Sequence, residues 1–140
     1  MDLLARRDHS RLELRRKLAA RGFDAALVEQ VLDGLTRDHL LEESRYVESF
    51  IRGRTRKGQG PVRIRGELAQ RGIEDASVSA GLDEADCDWI ALAAEVRAKR
   101  FGTAAPADFK ERARQMKFLQ YRGFEAGHIR AALELSADSD

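Results

Sequence analysis

Apolar residues recur along this chain three and four positions apart, the period that places them on one face of an α-helix. Val28 and Leu32, Val78 and Leu82, and Ile129 and Leu133 are such pairs. Each follows one upstream pattern: Leu18-Ala-Ala-Arg21-Gly22-Phe23, Leu68-Ala-Gln-Arg71-Gly72-Ile73 and Leu119-Gln-Tyr-Arg122-Gly123-Phe124. The three glycines stand 50 and 51 residues apart, so the sequence reads as three copies of one unit. Each glycine is the left-handed stop of one helix. The acid that follows (Asp24, Glu74, Glu125) begins the next, beside the positive end of its dipole.

The helix before each glycine also carries start signals. Ser10-x-x-Glu13 fits a capping box, Pro61 suits a first helical position, and Asp108-x-x-Glu111 is a variant of the box. A further helix opens units two and three, where Tyr46, Val47, Phe50 and Ile51, and Trp89, Ile90, Ala93 and Ala94, share one stripe. Unit one is short at this end, and Leu3 and Leu4 read as the remnant of a longer opening helix. The expected fold is all-α: three tandem three-helix repeats, residues 1–38, 39–85 and 86–140, the last with a short acidic tail. No unit of this size buries much core alone, so the repeats should stack into an elongated, curved, solenoid-like array.

Composition narrows the chemistry. An apolar content of 43% with 35% charged residues fits a folded soluble chain, and two prolines among abundant helix formers argue against a β-sandwich or barrel. The single cysteine, Cys87, cannot form an internal disulfide, and no apolar run approaches the roughly 18 residues of a membrane span. With no long apolar signal region after Met1, a reducing, cytoplasmic setting is expected. The net charge of +1 conceals an uneven distribution. Residues 1–71 hold 16 Lys/Arg against 11 Asp/Glu, residues 74–95 hold seven acids and no base, and residues 96–134 hold nine bases and four acids. Two basic lobes thus flank an acidic segment, which leaves a local polyanion site open.

Arg6-Arg7, Arg54-Thr-Arg56-Lys57 (with Arg52 one turn earlier) and Lys99-Arg100 each fall at the predicted end of a unit's first helix, and stacking would set them along one edge. Cations at a helix C-terminus are favourable by about 0.3–1 kcal/mol without any partner. The alternative is that they meet acidic protein faces or DNA phosphates, with Arg supplying forked contacts and Gly58-Gln59-Gly60 leaving the backbone accessible. If about four phosphates were neutralised, duplex affinity would fall with salt at a log–log slope of about −3.6. A second basic set lies on the middle helices: Arg11, Arg15, Arg16, Arg63 and Arg65, with Lys110, Arg112, Arg114 and Lys117. Solvated helix faces look the same.

Other chemistry is thinly supported. The acids from Glu74 to Asp88 lack a calcium-loop pattern, and Gly58-x-Gly60 has neither the Lys-Ser/Thr nor the preceding strand of a phosphate loop. His9, His39 and His128 lack metal-ligand spacing, and Cys87 has no evident base. Trp89, Tyr46 and Phe50 read as packing between repeats. No catalytic residues, metal or cofactor are assigned, and a non-enzymatic binding protein is expected.

The order of these segments resembles the RecX family, bacterial regulators of the RecA recombinase. The resemblance rests on Arg7-Asp-His-Ser-Arg-Leu-Glu13-Leu14 leading to Gly22-Phe23, on Tyr46-Val-Glu-Ser-Phe-Ile51, and on Lys57-Gly-Gln-Gly-Pro61 through Arg71-Gly72-Ile73. Lys99-Arg-Phe-Gly102 and Phe118-Leu119 with Arg122-Gly-Phe124 complete it. It implies a regulator that lies in the helical groove of the RecA–DNA filament and restrains homologous recombination, ATP hydrolysis and the SOS response; apart from that partner the chain is expected to be a monomer. Single- or double-stranded DNA stays open as a second partner. The rivals are a stand-alone DNA-binding module and a helical scaffold for an unrelated protein. One departure is Gln115, which stands where units one and two have Leu14 and Ile64; Met116 and Phe118 are expected to supply the apolar contacts instead.

Overall fold

The computed structural model describes the backbone of residues 3–138 and the side chains of residues 12–135. Seven helices follow one another, with no strand among the described residues. They are α1 (Leu3–Ala20), α2 (Ala25–Arg56), α3 (Pro61–Gln70), α4 (Asp75–Ala85), α5 (Trp89–Phe101), α6 (Phe109–Tyr121) and α7 (Ala126–Asp138). The all-α repeat array expected from the sequence is present.

The repeated glycines end α1, α3 and α6 in one way. Gly22, Gly72 and Gly123 have φ of +81°, +83° and +96°. In each copy the glycine N–H and the next residue's N–H bond back to the closing turn, as in Ile73 N–H to the Leu68 carbonyl (3.1 Å) and Gly72 N–H to that of Ala69 (3.0 Å). This doubly bonded C-cap reverses the chain, and its apolar flanks, Leu68 with Ile73 and Leu119 with Phe124, enter the cores of units two and three. Asp24 and Asp108 then cap the starts of α2 and α6, accepting from Ala26 N–H and Glu111 N–H. Pro61 occupies the first turn of α3.

One start signal and one boundary behave otherwise. Ser10 lies inside α1, which runs unbroken from Leu3, so Ser10-x-x-Glu13 is not a helix start; the side chains of Leu3 and Leu4 lie outside the described residues. The boundary expected at 38/39 falls inside α2, because nothing in Leu35-Thr-Arg-Asp-His-Leu-Leu-Glu42 ends a helix. One rod of about 48 Å, at 1.5 Å per residue, therefore serves as closing helix of unit one and opening helix of unit two.

Units two and three each pack three helices around an apolar cluster. The first holds Val47, Ile51, Ile64, Leu68, Val78 and Leu82; the second holds Ala93, Val96, Leu119, Phe124, Ile129 and Leu133. Trp89 packs against both, so it joins the two units as the sequence suggested. On α5 the buried stripe is Ala93, Val96 and Arg97, one step from the expected set, since Ala94 is only half-buried. Arg97 follows buried Ala93 by four residues, as Ile51 follows Val47, and Gln115 stands eight residues before its repeat glycine, as Ile64 does.

This substitution explains Gln115. In place of an apolar pair, the Arg97 Nε donates to Gln115 Oε1 at 2.7 Å, and Arg97 also donates to the Ala104 carbonyl in the loop between α5 and α6. Arg97 is 2% exposed, and its burial lowers the pKa of the guanidinium. Gln115 in turn donates to Glu111, which Arg114 holds with two further bonds of 3.0 Å. Met116 and Phe118 do pack against the unit-three core. The bonds from Arg114 and then Gln115 hold the Glu111 carboxyl below its ordinary range. That preference favours the folded chain above the unfolded carboxylate pKa of about 4.3 and disappears as pH falls through the lower folded value. An acid titration followed by circular dichroism should accordingly show a shallower loss of stability for Glu111→Gln than for the parent.

Candidate anion-binding groove

The Lys57–Gly60 connection between α2 and α3 is the hinge of the site. Gly58, Gln59, Gly60 and Pro61 are buried, not open as expected, because unit three lies on them. Gly60 N–H donates to the Arg122 carbonyl and Val62 N–H to that of Gly123, both at 2.9 Å. Arg122 answers by donating to the Lys57 carbonyl at 2.9 Å. Backbone touches backbone across this joint. A Cβ on Gly60 would stand 2.4 Å from the Gly123 oxygen, and one on Gly123 would stand 2.3 Å from Arg63 Cβ.

The joint brings the basic ends of two opening helices to one groove of about 510 Å³, walled by Arg56 and Lys57 from unit two and by Lys99, Arg100 and Arg122 from unit three. Its acid, Glu95, is bound to Lys99 at 3.4 Å. Leu92, Val96 and Phe118 form an apolar wall. Arg100 and Arg122 both stack on Phe118, at 5.4 and 5.3 Å from its centroid. Stacking fixes the planes of these guanidiniums while leaving N–H groups for an anion, the arrangement that favours forked recognition of carboxylate or phosphate.

Unit two repeats the device. Arg54 and Arg71 each lie 4.7 Å from the Phe50 centroid, and Arg71 donates to the Tyr46 hydroxyl at 2.6 Å. Arg71 and Arg122 hold equivalent positions before the repeat glycine. In the sequence the Arg-Gly step stands out through its glycine, and the one signal for the arginine is that it recurs in all three units. Arg114, stacked on Phe101 at 5.1 Å, joins the same family of contacts.

The remaining predicted cations are dispersed. Arg15 pairs with Glu29 at 2.7 Å, Arg52 with Glu48 at 2.8 Å, and Arg65 with Asp75 at 2.7 Å. Arg54 and Arg63 share Glu67, both at 3.1 Å. These are ties between or along helices, so among the described residues of the predicted set Arg56, Lys57, Lys99 and Arg100 meet in the groove. Arg16 is exposed on α1. Arg6 and Arg7 lie within α1, away from its C-terminal end, and their side chains, with that of Arg11, fall outside the described residues.

The acidic segment serves helix ends instead: Asp88 caps α5 by accepting from Ala91 N–H at 3.0 Å, and Asp75 stands in the first turn of α4. Among the described residues no three His, Cys, Asp or Glu are grouped to hold a metal. His39 and His128 lie 3.8 Å from Glu43 and Glu125. Cys87 edges the groove, and burial, followed by the charge of Asp88, raises its thiol pKa, which disfavours the reactive thiolate.

Comparison with known proteins finds three three-helix domains along the chain. Residues 1–35, 43–82 and 86–133 match the first, second and third three-helix domains of RecX. The chain is 49% identical over 99% of its length to the regulatory protein RecX of Halorhodospira halophila, of which the match covers 86%. It is 51% identical to the RecX of Pseudomonas savastanoi pv. phaseolicola, over 89% of this chain and 80% of that protein. With all three domains matched in order and the identity spread over nearly the whole chain, the protein belongs to the RecX family of regulatory proteins.

Proposed function

We propose that this chain is a cytoplasmic, non-enzymatic regulator that binds the RecA recombinase filament on DNA, along the filament's helical groove, and inhibits strand exchange, ATP hydrolysis and the SOS response. The observation that carries the reading, beside family membership, is the convergence of five cations from two units around one rigid groove. A filament offers acidic protein faces and phosphates together, and stacked arginines suit both. DNA touched in the same groove is the accompanying reading, since the cations outnumber the acid there.

A charge reversal tests it. In co-sedimentation with RecA filaments on single-stranded DNA, Lys57→Glu combined with Arg100→Glu should weaken binding at least tenfold, because two exposed attractive charges become repulsive. Arg65→Glu, whose side chain is tied to Asp75 and Ser79 away from the groove, should change it less than threefold. Equal retention of all variants at low and moderate salt would remove the groove from the contact.

A further inference from the structure

The groove between units two and three holds cations without their anions. Arg15, Arg52, Arg54, Arg63, Arg65 and Arg114 each pair with a carboxylate of this chain. Among the described residues Arg56, Lys57, Arg100 and Arg122 pair with none, and Glu95, the acid of the lining, is taken by Lys99 at 3.4 Å. Asp86 and Asp88, on either side of Cys87, lie outside the lining, and Asp88 is committed to Ala91 N–H. Arg100 and Arg122 are nevertheless held in place, both by Phe118 and Arg122 also by the Lys57 carbonyl at 2.9 Å. Gly58, at φ of +78°, lets α5 close in on the joint, since a Cβ there would stand 2.8 Å from Val96 Cγ2. Cations fixed in this way lose little freedom when an anion arrives.

Phosphodiesters and polypeptide carboxylates both suit an arginine fork, and the apolar wall decides between them. A single nucleic-acid strand adds affinity by stacking its bases on open aromatic faces. Phe118 is the aromatic residue of the lining, and Arg100, Arg122 and the perpendicular Phe101 ring, at 5.4 Å, already lie against it. Leu92 and Val96, one turn apart on α5, extend the wall and offer a strand neither a donor nor a stacking surface. They match an aliphatic or aromatic side chain instead. A volume of about 510 Å³ is in the range that buries a drug-sized ligand, the bulk of a few side chains.

We infer that the groove takes an acidic segment of a polypeptide, with carboxylates on Arg100 and Arg122 from unit three and on Arg56 and Lys57 from unit two, and one large apolar side chain between them on Leu92, Val96 and Phe118. The inference rests on the filament-binding reading and narrows it: this groove reads the filament's protein, not its DNA.

The probes are two fluorescein-labelled peptides with blocked termini, Glu-Asp-Phe-Asp-Glu and the same peptide with alanine at its centre, and a labelled thymidine pentanucleotide, whose phosphodiesters match the carboxylate side chains in number. Each is titrated into the full chain and followed by anisotropy. The phenylalanine peptide should bind saturably, at least tenfold more tightly than the alanine peptide and than the nucleotide. Lys57→Glu combined with Arg100→Glu should weaken it at least tenfold, whereas Arg65→Glu should leave it within threefold. Equal binding of the two peptides, nucleotide binding as tight as that of the phenylalanine peptide, or no saturable binding of that peptide would each overturn the inference. Co-sedimentation with RecA filaments is read separately, so the inference can fail while the filament-binding reading stands.

Discussion

Gln115→Ile is expected to destabilise the chain by roughly 2–4 kcal/mol, although it installs the residue that unit two uses at the same place. The Arg97 guanidinium would lose the 2.7 Å acceptor that holds it inside unit three and keep only the Ala104 carbonyl. A buried cation stripped of a partner costs more than the added apolar contact returns. For a chain of 140 residues the loss corresponds to a fall in melting temperature on the order of 10 °C. The double variant Arg97→Ile, Gln115→Ile recreates the Ile51–Ile64 pair and should recover to within about 1–2 kcal/mol of the parent. Thermal melts of the parent and the two variants decide the matter. A double variant as unstable as the single would show that the hold on the α5–α6 loop, rather than the buried charge, is the main contribution of Arg97.

Gly60→Ala and Gly123→Ala should also cost roughly 2–4 kcal/mol each. At Gly60 the new methyl would meet the backbone of Gly123 and Phe124, which cannot rotate away. At Gly123 it would meet Arg63 while the residue keeps φ of +96°. Both changes part the backbone bridge between units two and three, so amide hydrogen exchange should quicken first at Gly60 and Val62, whose N–H groups cross it. Gly22→Ala, where φ is +81° but nothing lies within 4 Å, separates the cost of left-handed backbone from that of the joint and should be the milder change. Equal destabilisation by Gly22→Ala and Gly123→Ala would mean that the joint is looser than its distances indicate.

Much of this architecture was legible in the chain because it repeats. The Arg-Gly-apolar step appears three times, its glycine demands a helix stop, and the following acid and paired apolar residues demand a helix start and a buried face. What stayed hidden depends on contacts between units. Gly58-Gln59-Gly60 looks like an open loop until unit three is laid on it, since local sequence records nothing of the backbone that approaches from residues 122–124. Gln115 looks like a lapse in an apolar pattern until Arg97 is seen beside it, 18 residues earlier on another helix. The continuity of α2 stayed hidden for the opposite reason: reading the chain as separate units leaves out that one helix can close unit one and open unit two when no residue between them ends it. The groove fell between these cases. Arg56, Lys57, Lys99 and Arg100 were identifiable as basic helix ends, but Arg122 and Phe118, which order the groove, were hidden under a structural motif and an apolar position.

The most direct measurement is ATP hydrolysis by RecA on single-stranded DNA, with free DNA in excess, while the chain is titrated in. Inhibition should set in well below one chain per recombinase monomer, and the Lys57→Glu, Arg100→Glu variant should require at least tenfold more protein for the same effect. Undiminished hydrolysis at every ratio, with the recombinase fully active and the chain folded, would contradict the proposed regulation of the filament.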